Sequence, residues 1–347
     1  MPISPTRPAT EAVLDPSAEE DESSEEASLR PTRLKDFVGQ PTLVQNLEVY
    51  VKAARKRGGA LDHVLLFGPP GLGKTTLAFI LAEEMGQQIT VAHAPAIEHK
   101  GQLAALLTKL EPGDVLFIDE IHRLSNVVEE NLYTAMEDFR IDMVQGDGPM
   151  ATAWTLKLSP FTLVGATTRT GLLTGPMLSR FGIEARLDYY DSDALARIVR
   201  RSSKILDVRI TDEACEEMAR RARGTPRIAN RLLRRARDFA EVLGDGTLDH
   251  DTAKEALARL EVDEAGLDEM NRRFLRVIIE TYGGGPVGIE ALAATLSEPR
   301  DTLEDVIEPF LLQQGFLART ARGRMATDRA YEHLSIQRTR APQGQLF

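Results

Sequence analysis

Four apolar residues, Val64-Leu65-Leu66-Phe67, run straight into Gly68-Pro69-Pro70-Gly71-Leu72-Gly73-Lys74-Thr75-Thr76. The spacing G-x-x-x-x-G-K-[ST] after a buried-strand run, ahead of an apolar helical stretch from Leu77 to Met85, is that of a strand feeding a phosphate-cradling loop. Gly71 and Gly73 let successive backbone N–H groups turn inward, and the following helix, Leu77 to Met85, presents its positive end to an anion, with Thr76 just before it counted among the nucleotide-binding residues. Lys74 is expected to reach the β/γ-phosphates and the Thr75 hydroxyl to bind Mg²⁺. The pattern implies a nucleoside triphosphate site.

About forty residues on, Asp114-Val115-Leu116-Phe117-Ile118 is a second buried-strand run, ending in Asp119-Glu120. Paired carboxylates leaving an adjacent parallel strand at the phosphate-loop edge suit metal and water: Asp119 for the Mg²⁺ shell, Glu120 for polarising the attacking water. The expectation is therefore hydrolysis as well as binding. His122, two residues further, reads as a packing or capping residue.

The chain has 347 residues, too many for one compact core, with 42% hydrophobic and 27% charged residues, as in a soluble globular protein. No apolar run approaches a membrane span and no signal peptide opens the sequence. The single cysteine, Cys215, reads as core filling, so neither a disulfide framework nor a cysteine metal cluster is expected, and the compartment is read as reducing and cytoplasmic. The net charge of −11 is misleading for a surface argument, because residues 1–28 hold eight acids against Arg7. That segment has no aromatic residue and reads as a solvated, disordered tail.

The rest divides into three blocks. Residues 29–190 alternate strand runs (Val64–Phe67, Val115–Ile118, Phe161–Gly165) with helical patterns, an α/β arrangement with a parallel sheet covered on both faces. Within it, residues 140–158 read as a hairpin, with Ile141 and Met143 alternating before Gly146-Asp147-Gly148-Pro149, and Trp154, Leu156 and Leu158 after it. Residues 191–263 read as purely helical, with one helix starting at Thr225-Pro226 behind Gly224, an N-cap residue followed by proline at the first helical position. Residues 264–337 give three helical runs and two short strands around a glycine turn, a winged helix. Residues 338–347 are a tail. From Phe316 to Arg340 six arginines face only Asp328 and Glu332. Arg319, Arg322 and Arg324 on the hairpin, with Arg300 on the last helix, are expected to bind DNA backbone phosphates, an ordinary solvated hairpin being the rival reading.

The order phosphate loop, Asp119-Glu120, Gly165-Ala166-Thr167-Thr168-Arg169, Leu178-Ser179-Arg180-Phe181-Gly182, Gly224-Thr225-Pro226-Arg227 and winged helix resembles the AAA+ ATPases. More narrowly, the strings Gly68–Ala78, Asp114–Leu124, Arg223–Leu233 and Gly283–Gly288 resemble the RuvB family of Holliday-junction branch-migration motors, over about Leu29 to Leu334. The resemblance implies that Thr168 stands at the sensor 1 position, where many AAA+ proteins have Asn, and that Arg180 is the arginine finger a neighbouring subunit inserts. It implies further that Arg227 is sensor 2, reaching the nucleotide from the helical block, and that Leu29, Arg30 and Tyr190 line the adenine side. Glu137, Asp138 and Phe139 would approach the adjoining subunit's nucleotide. Hairpin 140–158 would dock a RuvA-like junction-binding partner, and the only tryptophan, Trp154, suits an interface.

The expected function is that of an ATP- and Mg²⁺-dependent double-stranded DNA translocase. It would form a hexameric ring that drives branch migration on the arms of Holliday junctions in recombination and repair, away from any membrane. The rivals are a clamp-loader-like or replication-initiator-like switch, which assembles a complex on DNA without translocating, and an ATP-binding scaffold. Intact Glu120 and Arg180 speak against the scaffold. An arginine-bearing wing in place of a helical collar speaks against the loader, and basic residues on the wing rather than on a base-reading helix speak against the initiator.

Overall fold

The computed structural model describes residues 26–145 and 152–338. Most of the acidic tail, the hairpin turn at 146–151 and the segment 339–347 lie outside the described residues. The expected tail boundary needs correction, because Glu26, Ala27 and Ser28 are helical and Glu26 is drawn into an ion pair with Arg227.

The strand runs of the first block become β1 (Val64–Phe67), β2 (Ile89–His93), β3 (Val115–Asp119), the hairpin pair β4 (Arg140–Gln145) and β5 (Thr152–Lys157), β6 (Thr162–Thr167) and β7 (Ile183–Arg186). Five of them form one sheet in the order β2-β3-β6-β1-β7, and every pairing is parallel. The expected adjacency of the Asp119 strand and the phosphate-loop strand is corrected, because β6 lies between them. β6 can hold that central place because Thr162 to Thr167 are all buried, while Gly165 leaves room for Ile121 and Phe181, whose side-chain carbons would lie 2.9 and 3.1 Å from an added Cβ.

Strand periodicity splits the core in two. Val64, Leu66, Val115, Phe117, Val164 and Ala166 face one cluster, and Leu65, Leu116, Ile118 and Leu163 the other. The first cluster continues without a break into the helical block through Leu195, Val199, Met218 and Leu233, and Cys215 is buried within it. Burial pushes the Cys215 thiol up to about 11, as suits a core-filling residue. Each fully buried aliphatic side chain here contributes about 1.5–3 kcal/mol, so that block is held on the sheet face by more than its linker.

The helical block contains helices Ser192–Ile205, Asp212–Arg221, Pro226–Leu243 and His250–Arg259. It is not purely helical: β8 (Arg209–Ile210) and β9 (Thr247–Leu248) form a short parallel pair. The helix at Pro226 starts where expected, but Thr225 Oγ1 donates to the Arg223 carbonyl and makes no cap bond.

The third block has its own core. Its helices are Glu269–Arg276, continued by a π-helical turn to Thr281, then Ile289–Leu296, a run over 300–313 with a π-helical turn at Leu303–Ile307, and Asp328–His333 after the wing. β10 (Leu317–Thr320) and β11 (Gly323–Ala326) pair antiparallel, and Val287 bridges to Arg324 as a third strand position. The winged helix is thus observed, but one of its expected DNA contacts is overturned. Arg324 is buried, with Nε 2.6 Å from Glu308 Oε1 and Nη2 2.8 Å from Glu304 Oε1. It is a strut of the wing, fully engaged by these carboxylates. Arg319 and Arg300 remain exposed, each touching Glu304 from outside, and Arg322 is exposed at the turn.

Arg324→Ala would strand the carboxylate of Glu308, which is 1% exposed, a loss of about 3–5 kcal/mol for a buried pair broken on one side. Amide exchange in β10 and β11 is therefore expected to accelerate by two or more orders of magnitude, whereas Arg319→Ala, an exposed partner, is expected to change it by less than about threefold. Equal effects would contradict the strut role.

Candidate active site at the phosphate loop

The helix after the loop begins at Lys74 rather than at Leu77, so Thr75 and Thr76 supply N–H groups of its open first turn. Gly71 is in the left-handed region at φ 76°, and a Cβ there would stand 2.8 Å from Thr225 Cγ2 and 3.2 Å from Arg227 Cβ. The Arg227 N–H points to the Gly71 carbonyl at 3.4 Å. The helical block's long helix therefore starts directly against the phosphate loop, and the left-handed φ together with the nearby Thr225 and Arg227 side chains favours glycine at position 71.

Between them opens a cleft of about 410 Å³. Gly71, Gly73, Lys74, Thr75 and Thr76 line its floor, Asp119, Glu120 and Thr168 one edge, and Leu29, Arg30, Tyr190 and Arg227 the other side. Motifs far apart in the chain meet here because the parallel strands β1, β3 and β6 all end at one sheet edge.

Lys74 is buried and donates to the carbonyls of Gly68 and Pro69, both at 2.8 Å. Burial pulls its pKa down to about 8; Asp119 opposes that shift and Arg227 adds to it. Asp119 Oδ1 accepts from the Glu120 N–H at 2.9 Å. Glu120 takes a left-handed φ of 51°, which turns its carboxylate out of the strand line to meet Arg123 at 3.0 Å. Tyr190 is buried, donates to the Leu72 carbonyl at 3.0 Å, and has its phenol pKa pushed well up by burial. The Arg30 guanidinium lies over the Phe79 ring.

Two polar groups beside the cleft engage each other. His122 Nδ1 is 2.9 Å from Oγ1 of the buried Thr167, so it pins the turn after Glu120 to the end of β6, and burial lowers its pKa. This fits its reading as a packing residue.

Arg180 is absent from the cleft of its own chain. Its guanidinium rests over the Tyr133 ring at 4.4 Å, reaches Glu137 at 3.1 Å and donates to the Pro176 carbonyl, while Nε is buried without a partner. Glu137 and Asp138 present carboxylates at the same surface, Asp138 meeting Arg140 at 3.1 Å. Phe139 differs: its ring packs edge-on against Phe161, so its side chain belongs to the core rim. On the hairpin, Ile141 and Leu158 are buried and Met143 and Leu156 half-buried, whereas Trp154, opposite Met143, is 46% exposed.

Sequence reasoning missed His93, Arg201, Asn230 and Glu26 on the cleft wall. For His93 a signal existed, since the parallel register sets it opposite Asp119; the others arrive from helices whose docking no local pattern announces.

Three family models match in sequence: the P-loop domain of the Holliday junction DNA helicase RuvB over 29–187, the RuvB AAA lid domain over 190–263, and the RuvB C-terminal winged helix domain over 264–335. Among solved structures, the Thermotoga maritima RuvB Holliday junction branch migration motor is 51% identical with a TM-score of 0.82, and covers 89% of this chain and 99% of its own. A proline-to-glycine variant of the Thermotoga maritima protein is 50% identical, at the same coverage, with a TM-score of 0.84.

Proposed function

Because the chain belongs to the RuvB family, and is thereby a P-loop AAA+ ATPase and Holliday-junction branch-migration motor, we propose which of its residues perform that work. The nucleotide is ATP, held with its phosphates on the N–H groups from Gly71 to Thr76 and on Lys74, and with its base toward Leu29, Arg30 and Tyr190. The glycine cradle and the basic floor fit a triphosphate. Thr75 and Asp119 offer the hard oxygen donors that suit Mg²⁺, which, when bound, neutralises charge on the β/γ-phosphates. Glu120 polarises the attacking water, Thr168 orients it or the γ-phosphate through its hydroxyl, and Arg227 ties nucleotide state to the angle of the helical block.

The reading rests most on one observation: Lys74, Asp119, Glu120, Thr168 and Arg227, from four distant segments, share one cleft, while Arg180 faces away from it. Arg180, with Glu137 and Asp138 beside it, serves the cleft of a neighbouring subunit. A finger of this kind is worth about 10³ to 10⁵ in rate, so activity requires assembly, here a hexameric ring. Double-stranded arms of the junction are gripped by exposed wing arginines, Arg319 and Arg322, with Arg300. A RuvA-like partner docks on hairpin 140–158, whose apolar face is anchored at Ile141 and exposed at Trp154. Among the described residues no helix is long and apolar enough to cross a membrane, and the working compartment is the cytoplasm.

Lys74→Ala is expected to abolish ATP binding, whereas Glu120→Gln is expected to bind ATP within about threefold of the parent and lose at least about 100-fold in turnover, because only water activation is removed. Fluorescent-nucleotide titration with steady-state hydrolysis separates the two; equal loss of binding in both would sink the role given to Glu120.

Replacing Arg319 and Arg322 by Ala is expected to weaken binding to every duplex sequence alike and to flatten the salt dependence by about 0.9 for each phosphate no longer neutralised. Arg324→Ala measured beside them tests the correction, since its loss of binding should track wing unfolding. A sequence-selective loss at unchanged slope would mean that the wing reads bases.

A further inference from the structure

The end of β6 is joined to the winged helix by one side chain. Arg169 follows Thr168 on the cleft edge, and its N–H donates to Thr167 Oγ1 at 3.0 Å. Thr167 is buried and bonded to His122, two residues past Glu120. The Arg169 side chain points the other way: Nε is 2.7 Å from Asp305 Oδ1, and Nη2 is 3.1 Å from Asp301 Oδ1 and 3.8 Å from Glu304 Oε2. All three acids lie at the start of the 300–313 helical run of the winged helix, more than 130 residues away in sequence.

Glu304 is also where the wing's arginines converge, taking Arg300 at 3.0 Å, Arg324 at 2.8 Å and Arg319 at 3.5 Å. Burial works against its ionisation, but Arg300 and Arg324 outweigh it and hold its carboxyl below the ordinary value. One carboxylate therefore has four guanidinium neighbours, and each weakens its hold on the others.

We infer that Arg169 is a positioning residue that couples the nucleotide cleft to the DNA-binding face within one subunit, by docking Asp301, Glu304 and Asp305 onto the strand end that carries Thr168. When Arg169 occupies these acids, Glu304 pulls less on the exposed Arg300 and Arg319, which are then freer to meet phosphate. Coupling of this kind is reciprocal: phosphates that take those arginines leave the acids more negative and draw Arg169 closer, shifting the backbone beside Thr168. Asp305 touches neither the cleft nor the expected DNA surface, so its effect on both would be indirect. This inference rests on the proposed roles of the wing and the cleft.

The test uses the full-length chain, with ATP hydrolysis measured with and without a duplex of mixed sequence, and duplex binding measured alongside by anisotropy. Asp305→Asn is expected to leave basal hydrolysis within about twofold, to lower the duplex-stimulated to basal ratio by at least about threefold, and to weaken duplex binding in the same direction. Arg169→Asp should lower the ratio further, and combining it with Asp305→Arg should restore at least half of the parent ratio, which a merely structural loss would not allow. Unchanged ratios in both single variants, or no recovery in a folded charge-reversed pair, would overturn the inference. If the parent itself neither bound duplex nor responded to it, the proposed wing role would fail instead.

Discussion

The approach of the Gly71 backbone to the first turn of helix Pro226–Leu243 sets the rest of the molecule. A phosphate loop bends the same way in many folds, but here a Cβ at its turn would lie 2.8 Å from Thr225 Cγ2. The loop therefore carries the helical block as well as forming the floor of the cleft. The shared apolar cluster that runs from Val64 and Phe117 to Val199 and Leu233 makes the contact stiff. On the proposed reading, a change in what the loop holds is felt at the angle of that block, through Arg227 above all.

Charge in this chain is organised in local circuits, and the total of −11 says little about any of them. Arginines of the third block are divided by depth. Arg324 is enclosed with Glu308 and Glu304 and fixes the wing, while Arg300 and Arg319 lie on the outside of the same cluster and keep their outer faces open to water. A buried ion pair of this sort specifies geometry more than it stabilises it, because desolvation offsets much of the attraction. The ion pair of Glu26 with Arg227 at the cleft is of the opposite kind, exposed enough for a phosphate to compete.

The sequence was most legible where one residue's role follows from its immediate neighbours. Gly68 to Thr76 prescribe a strand, a turn and a following helix, and the run ending at Asp119-Glu120 prescribes a buried strand with acids at its tip; both stand where the pattern put them, save that the helix opens three residues early, at Lys74. It was less legible where a side chain's fate depends on distant partners. Arg324 and Arg319 look alike in a basic hairpin, and they differ because Glu308, sixteen residues before Arg324, reaches only that one of them. Phe139 reads like its acidic neighbours until Phe161 takes its ring. β6 between β1 and β3, and the cleft positions of Arg201 and Asn230, follow from how whole elements dock, which hydrophobic periodicity does not encode.

On the proposed reading the catalytic group set is split between chains, and this division is the central claim. Its direct measurement mixes Arg180→Ala subunits with Glu120→Gln subunits and follows ATP hydrolysis as a function of their ratio. Each Arg180→Ala cleft keeps its own Glu120, and a Glu120→Gln neighbour can lend it Arg180. The account predicts turnover in the mixture well above the sum of the two parents, greatest near equal proportions. Co-assembled mixtures that hydrolyse no faster than their parents would contradict it and return Arg180 to a structural role in its own subunit.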